Sequence, residues 1–135
     1  MRYWLLKADP GAYGFADLER ERRAVWDGVS NPVALKNMRE VRKGDAALVY
    51  HTGDEKAVVG LARVVSDPSP DPANARLVVF ALEPVKRLAS PVSLAAVKAD
   101  PRFQDFPLVR QPRLSVLPVP PDLWKLLMRM AGEKV

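Results

Sequence analysis

Residues 26–31, WDGVSN, place an indole, a carboxylate, a hydroxyl and an amide within one short stretch. Asn31 precedes Pro32, and asparagine at the N-cap followed by proline predicts the start of a helix. A helix start offers free N–H groups and the positive end of the helix dipole. The segment is therefore a candidate for binding a flat polar ring, with Trp26 stacking on it. Burial of Trp26 in the core is the alternative.

His51 is the only histidine, and it follows Tyr50 at the end of the apolar segment 46–52, AALVYHT. Alternation along a strand sends these two side chains to opposite faces. His51 is therefore either a structural hydrogen-bonding group or a group that contacts a bound base. One histidine and no cysteine argue against a zinc site, which needs three or four ligands.

The segment 28–32, GVSNP, is close to the GxSxG nucleophile elbow, but Pro32 stands where the second glycine is required. A hydrolase that uses Ser30 with His51 and Asp27 therefore has little support from the sequence. We expect no metal and no catalytic residue.

Arg113 lies close to Arg110, before the last predicted strand. Its guanidinium can hold a phosphate or a carboxylate, or it can pair with Asp100 or Asp105 on the surface.

Composition narrows the classes of protein to consider. The chain has 135 residues, which we expect to form a single domain, 1–135. The absence of cysteine excludes disulfides, thiol catalysis and CxxC redox chemistry.

The net charge is +5, which fits a nucleic-acid partner. It fits equally well the soluble surface of a protein from a thermophile, since arginine outnumbers lysine. Neither a signal peptide nor a membrane span is apparent, so we expect a cytoplasmic protein.

The positions of turn and apolar residues predict the elements that hold these side chains. We expect an isolated glycine, Gly60, to mark a β-bulge or a close approach inside its strand. The predicted elements are a strand over 2–8, a helix over 15–21, extended chain at 25–26, a helix from Asn31 to a stop at Gly44, a hairpin of strands 46–52 and 57–65, a proline-rich loop over 66–74, a strand over 75–88 broken at Pro84, a helix over 94–99, a loop over 101–107, a strand over 113–119 and a terminal helix from Pro120. Together they predict an α+β fold with a small, partly closed barrel.

Six segments in this order resemble the EVE domain family: YWLLKADP, WDGVSNPVALKNMREVRKGD, LVYHT, VVGLARVVSDPSPDP, PVSLAAVKADP and LVRQPRLSVLPV. The resemblance covers nearly the whole chain. It implies the PUA-like superfamily, with a pseudo-barrel of about five or six mostly antiparallel strands and short flanking helices. Members of that superfamily read nucleic acids, often through a flipped or modified base, and the EVE family has no established catalysis.

The resemblance also implies which residues form a base-binding site. By position they are Lys7, Asp9, Trp26, Ser30, Asn31, Tyr50, His51 and Arg113. Three departures alter the expected contacts: Ala8-Asp9 replaces Ser-Glu, Ser30 replaces an arginine, and residues 33–35, VAL, replace Gln-Ala-Arg. Loss of two arginines weakens phosphate binding, and loss of a serine changes which base edge is read.

We therefore expect a non-enzymatic module that binds RNA or DNA and stacks a single, modified base on Trp26. Hydrogen bonds from Asp9, Ser30, Asn31 or His51 would select the base, while Arg113, Lys7 and the helix start would meet phosphates. The alternatives are a small-molecule sensor or hydrolase that uses the same concavity with His51 as general base, and a protein-interaction adaptor.

Overall fold

Seven strands lie within residues 1–134, which are the residues that the computed structural model describes. Six of them form one curled sheet in the order β2-β6-β4-β3-β1-β7, and the short β5 pairs with β6 outside that order. The strands are β1 (Tyr3–Ala8), β2 (Ala24–Trp26), β3 (Ala46–His51), β4 (Ala57–Val64), β5 (Ser69–Asp71), β6 (Asn74–Ser93) and β7 (Val116–Pro118).

Short helices connect and cover this sheet. They are α1 (Pro10–Tyr13), α2 (Phe15–Glu21), α3 (Pro32–Glu40), α4 (Leu94–Ala99), α5 (Pro107–Arg110) and α6 (Pro121–Met130), with a single 3₁₀ turn at Pro101–Phe103. The predicted α+β class is confirmed. Within the described part of the chain, no helix combines the length and apolar character needed to cross a bilayer.

The pairing of β1 with β3 brings the end of the segment YWLLKADP next to the end of the segment LVYHT. It is parallel, whereas the other strand pairs are antiparallel. Lys7 lies opposite Tyr50 and Ala8 opposite His51. The chain between these strands forms α1, α2, β2 and α3, so the β2–α3 loop returns close to the end of β1.

Gly60 confirms the predicted bulge. The register between β4 and its neighbours shifts at this point, against both β3 and β6. The group that approaches Gly60 is a side chain of the protein, because a Cβ added there would lie 2.3 Å from Phe15 Cε1. Phe15 is fully buried, and its ring fills the space that a side chain at position 60 would need.

The structure corrects three predicted boundaries. Helix α3 ends at Glu40 and not at Gly44, because Val41 leaves the helix with extended backbone and is fully buried. The predicted loop 66–74 contains β5, which continues the sheet as a hairpin with β6. Strand β6 runs through Pro84 without a break, because Val85 is an extra residue in β6 that shifts its register against β4 beside the proline.

The final part of the chain also differs from the prediction. Strand β7 covers only Val116–Pro118, so Arg113 lies outside it, and the predicted loop 101–107 includes the 3₁₀ turn and the start of α5. Two tryptophans lie in the interior. Trp4 is 1% exposed, and the buried ring of Trp124 stacks on Tyr3 with centroids 4.5 Å apart.

Candidate functional site

A cavity of about 610 Å³ opens where the end of β1, α1 and the segment 24–31 meet. Five of the eight predicted site residues line it together: Lys7, Asp9, Trp26, Ser30 and Asn31. The remaining lining residues are Ala8, Ala12, Tyr13, Glu21, Ala24, Val25, Asp27, Gly28, Val29 and Ser115.

Trp26 supplies the largest aromatic surface of the cavity. Strand β2 pairs with β6, where Trp26 lies opposite Phe80, and the indole packs against the hydrophobic core. The side chain is nevertheless only half-buried. Trp26 therefore combines a fixed position with a face that a ligand can reach, which is the arrangement required for stacking.

The β2–α3 loop turns at Gly28, whose φ of +74° lies in the left-handed region. Asn31 then caps α3, and its Oδ1 accepts hydrogen bonds from the N–H groups of Val33 at 2.9 Å and Ala34 at 3.1 Å. The predicted N-cap is confirmed. Because the oxygen is used by the helix, Asn31 presents only its amide N–H₂ group to a ligand, and Ser30 adds an exposed hydroxyl.

Three carboxylates face this space. Asp9 caps α1 and accepts from the N–H of Gly11, and Glu21 accepts from the hydroxyl of Tyr13 at 2.9 Å. Burial, together with this hydrogen bond to Glu21, raises the pKa of Tyr13 to about 12. Among residues 1–134 neither of these carboxylates nor Asp27 forms an ion pair. The described side chains include no cluster suited to a metal ion.

Among the described residues, Lys7 is the only cation that lines the cavity. Its Nζ donates to the carbonyl of Pro112 at 2.8 Å and lies 5.9 Å from the centroid of the Tyr50 ring. Burial lowers the pKa of Lys7 and raises the pKa of Tyr50. Tyr50 is 4% exposed and does not line the cavity, so it supports Lys7 from the layer beneath.

His51 also lies behind the cavity wall. It is 6% exposed, its Nε2 accepts from the N–H of Phe15 at 2.9 Å, and its Nδ1 lies 2.6 Å from Oε1 of Glu55. These partners assign the proton to Nδ1, since Nε2 acts as an acceptor. Both ring nitrogens are therefore engaged within the protein.

Arg113 borders a separate hollow of about 250 Å³ that shares Asn31 with the cavity. Its side chain is exposed and forms no ion pair within the described residues. The alternative pairing with Asp100 is absent, because Asp100 instead binds Arg102 at 2.7 Å. Arg113 is thus a free cation beside the cavity mouth.

Sequence reasoning did not select Tyr13, Glu21 or Ser115, although all three line the cavity. Glu21 belongs to a charge run that is typical of a solvated helix end. Tyr13 and Glu21 meet because α1 and α2 turn back on each other, and Ser115 reaches the site through the pairing of β7 with β1. None of these contacts has a local signal in the sequence.

Comparison with known proteins identifies the family. The family model for the EVE domain matches residues 2–130. The chain belongs to the EVE domain family. This EVE domain superposes on Rpa0253 of Rhodopseudomonas palustris with a TM-score of 0.92 and 38% identity, covering 98% of this chain and 94% of that one. The predicted pseudo-barrel of about six mostly antiparallel strands with short flanking helices is confirmed.

Two further relatives are thymocyte nuclear proteins. Mouse thymocyte nuclear protein 1 is 31% identical over 81 residues, which are 51% of this chain and 36% of that protein. The EVE domain thus spans about a third of the length of this curated relative. Human THYN1, solved in complex with DNA containing 5-methylcytosine, superposes with a TM-score of 0.89 at 20% identity over both whole chains. At that identity the likeness shows the fold.

Proposed function

We propose that this EVE domain is a non-enzymatic module that binds nucleic acid and accepts one base in the cavity at Trp26. The half-buried indole carries this proposal, because it lines a cavity of about 610 Å³ together with Lys7, Asp9, Ser30 and Asn31. A cavity of this size is in the usual range for sites that bury a small ring system. Base stacking on an aromatic side chain contributes about 1–3 kcal/mol per base.

The polar groups of the cavity favour a base edge that carries amino groups. Asp9, Glu21 and Asp27 are acceptors, and cytosine and adenine each present an exocyclic N–H₂ group. The same carboxylates disfavour phosphate inside the cavity, so the backbone of the nucleic acid stays at the rim. Apolar side chains at Ala12 and Val25 leave room for a methyl group on the base.

We assign different roles to the predicted residues according to their positions. Lys7, Asp9, Ser30 and the amide of Asn31 contact the base or its sugar, and Arg113 meets a phosphate at the mouth. Tyr50 and His51 act from behind the wall. Tyr50 supports Lys7, and His51 fixes the backbone of Phe15 at the start of α2.

The human THYN1 complex supports this proposal, since a protein of the same fold binds DNA that contains 5-methylcytosine. The alternative of a hydrolase depended on His51 as general base. His51 uses both ring nitrogens within the protein and lies outside the cavity that holds Ser30 and Asp27. The geometry therefore favours binding over catalysis.

The proposal is tested with fluorescently labelled 13-nucleotide DNA and RNA strands, each with cytosine or 5-methylcytosine at the centre. Anisotropy titrations compare the wild type with Trp26→Ala and Trp26→Phe. Loss of stacking in Trp26→Ala is expected to weaken binding about 5- to 150-fold, whereas the smaller ring of Trp26→Phe retains most of the affinity.

Thermal melting of each variant controls for folding, because Trp26 also packs against the core. Equal affinity in the wild type and Trp26→Ala would overturn the stacking role. A wild type that binds none of the strands would overturn nucleic-acid binding itself, and equal affinity for free nucleosides and strands would favour a small-molecule site.

A further inference from the structure

The exposed face of α3 carries a concentration of unpaired positive charge. Segment 32–44 contains four basic residues and one acid, Glu40, which pairs with Arg2 at 3.6 Å. The four basic side chains are all exposed. They are Lys36, Arg39, Arg42 and Lys43.

None of these four cations forms an ion pair within the described residues. Six lysine or arginine side chains form ion pairs with carboxylates in the described part of the chain, and none of the four is among them. The nearby acid Asp45 is buried and bonded to backbone N–H groups and to Trp4. Asp67 accepts from the backbone N–H of Lys43. The local acids are therefore already engaged.

The geometry of α3 arranges the basic residues in a line. Lys36 and Arg39 are three positions apart and both exposed, so their side chains are neighbours on the surface of the helix. Beyond the helix, Arg42 donates from Nη1 to the carbonyls of Arg39 at 2.6 Å and Val41 at 2.7 Å. This contact holds the guanidinium at the end of the helix.

Each end of α3 borders a concave surface. At the start of the helix, Asn31 lines both the cavity at Trp26 and the hollow that Arg113 borders. At its end, Arg39 and Arg42 line a second cavity of about 450 Å³, whose far wall comes from the β5–β6 hairpin and the segment before it. From Asn31 to Arg39 the helix rises about 12 Å, which is long enough to follow more than one phosphate of a strand.

We propose that these residues form a phosphate-binding track for the same nucleic-acid strand that places its base in the cavity at Trp26. The track consists of Arg113, Lys36, Arg39, Arg42 and Lys43. This inference rests on the proposed function and adds a multi-nucleotide footprint with a defined direction, away from the cavity along α3. Arginine and lysine in a row match a polyanion, and the cavity itself, with three carboxylates, does not.

The test removes charge from the track without disturbing the helix end. The track variant is Lys36→Gln, Arg39→Gln, Lys43→Gln, which leaves the bonded Arg42 in place. The control variant is Lys98→Gln, Lys125→Gln, Arg129→Gln, which removes the same charge from exposed, unpaired positions on α4 and α6. Both are titrated with DNA strands of 3, 5, 9 and 13 nucleotides around a central 5-methylcytosine, at 50 and 200 mM salt.

For the wild type and the control variant, affinity is expected to rise with strand length and to fall with salt. Three lost phosphate contacts reduce the log–log salt slope by about 2, so the wild type should lose about 20-fold more affinity than the track variant between these salts. The track variant should also gain little affinity from lengthening the strand. Equal salt slopes and equal length dependence in the two variants would overturn the track.

Trp26→Ala separates this inference from the proposed function. If strands bind through Trp26 and the track variant matches the control, the track fails while the base site stands. If Trp26→Ala binds like the wild type and the track variant loses its salt dependence, the track stands and the base site fails. Absence of binding to every strand by the wild type would overturn both.

Discussion

Two tryptophan–aspartate sites in this domain use the same residue types in opposite ways. In one, Trp4 donates from Nε1 to Oδ2 of Asp45 at 2.9 Å, and Asp45 also accepts from the backbone N–H groups of Arg2 and Arg42. Both side chains are buried. In the other, Trp26 is half-buried and its neighbour Asp27 is exposed, with no ion pair within residues 1–134.

The difference shows which of the two sites has groups available to bind a ligand. The Asp45 site is closed, since its donors and acceptors satisfy one another and join the start of β3 to the start of the neighbouring strand β1. The cavity at Trp26 has polar groups without internal partners and an aromatic face that remains accessible. Residue type alone does not separate the two sites, whereas hydrogen-bond satisfaction and burial do.

The largest expected effect concerns the closed site. Asp45→Ala leaves the buried indole N–H of Trp4 and two backbone N–H groups without their acceptor, and we expect it to lower the free energy of unfolding by about 3 kcal/mol. Asp27→Ala removes an exposed carboxylate and should change it by less than about 0.5 kcal/mol. Urea denaturation of both variants measures the contrast, and similar losses would show that the two sites are energetically alike.

Local signals allowed part of this architecture to be predicted from sequence. The helix over 15–21 and the cap at Asn31 follow from residue types at short range. The bulge at Gly60 was equally visible, although the identity of the residue that approaches it was not. These features depend on neighbours in the sequence, or on apolar character alone.

The rest of the site depends on contacts between distant segments. The parallel pairing of β1 with β3 decides that Lys7 covers Tyr50, and only the fold shows that His51 bonds to Phe15 instead of facing the cavity. Pro84 indicated a strand break, but the register of β6 against β4 shifts at Val85, and this shift is visible only in the strand pairing. Strand pairings of this kind have no local signal in the sequence. The sequence therefore assigned all eight residues to one binding site, although only five of them line the cavity among the described residues.

A second prediction tests whether His51 belongs to the closed interior or to the cavity. His51→Ala leaves the buried N–H of Phe15 without an acceptor, and we expect a loss of about 2 kcal/mol in the free energy of unfolding. Affinity for a 5-methylcytosine strand should stay within twofold, because His51 does not line the cavity. Denaturation and anisotropy titrations report the two quantities, and a large loss of affinity in a folded variant would place His51 in the binding site.

The smallest expected effect lies on the cavity wall. Tyr13→Phe removes the hydrogen bond to Glu21 and should lower the free energy of unfolding by about 0.5–1 kcal/mol. Because the pKa of Tyr13 is raised to about 12, above the value near 10 of an unfolded tyrosine, this contribution is fully present below about pH 10. It is lost as the pH rises through 12.

The check is the difference in stability between the wild type and Tyr13→Phe, measured by urea denaturation at pH 8, 10 and 11.5. The difference should be constant up to about pH 10 and smaller at pH 11.5. A difference that grows with pH would mean that the folded state favours the ionised phenol, contrary to the hydrogen bond from Tyr13 to Glu21.

The most direct test of the account follows the three indole N–H resonances of the ¹⁵N-labelled protein by NMR during titration with a 5-methylcytosine DNA strand. Trp26→Phe assigns one signal. We predict that the Trp26 signal shifts strongly and saturably, while those of Trp4, bonded to Asp45, and Trp124, stacked on Tyr3, stay nearly unchanged. An unchanged Trp26 signal under conditions in which the strand binds would contradict the proposed base site.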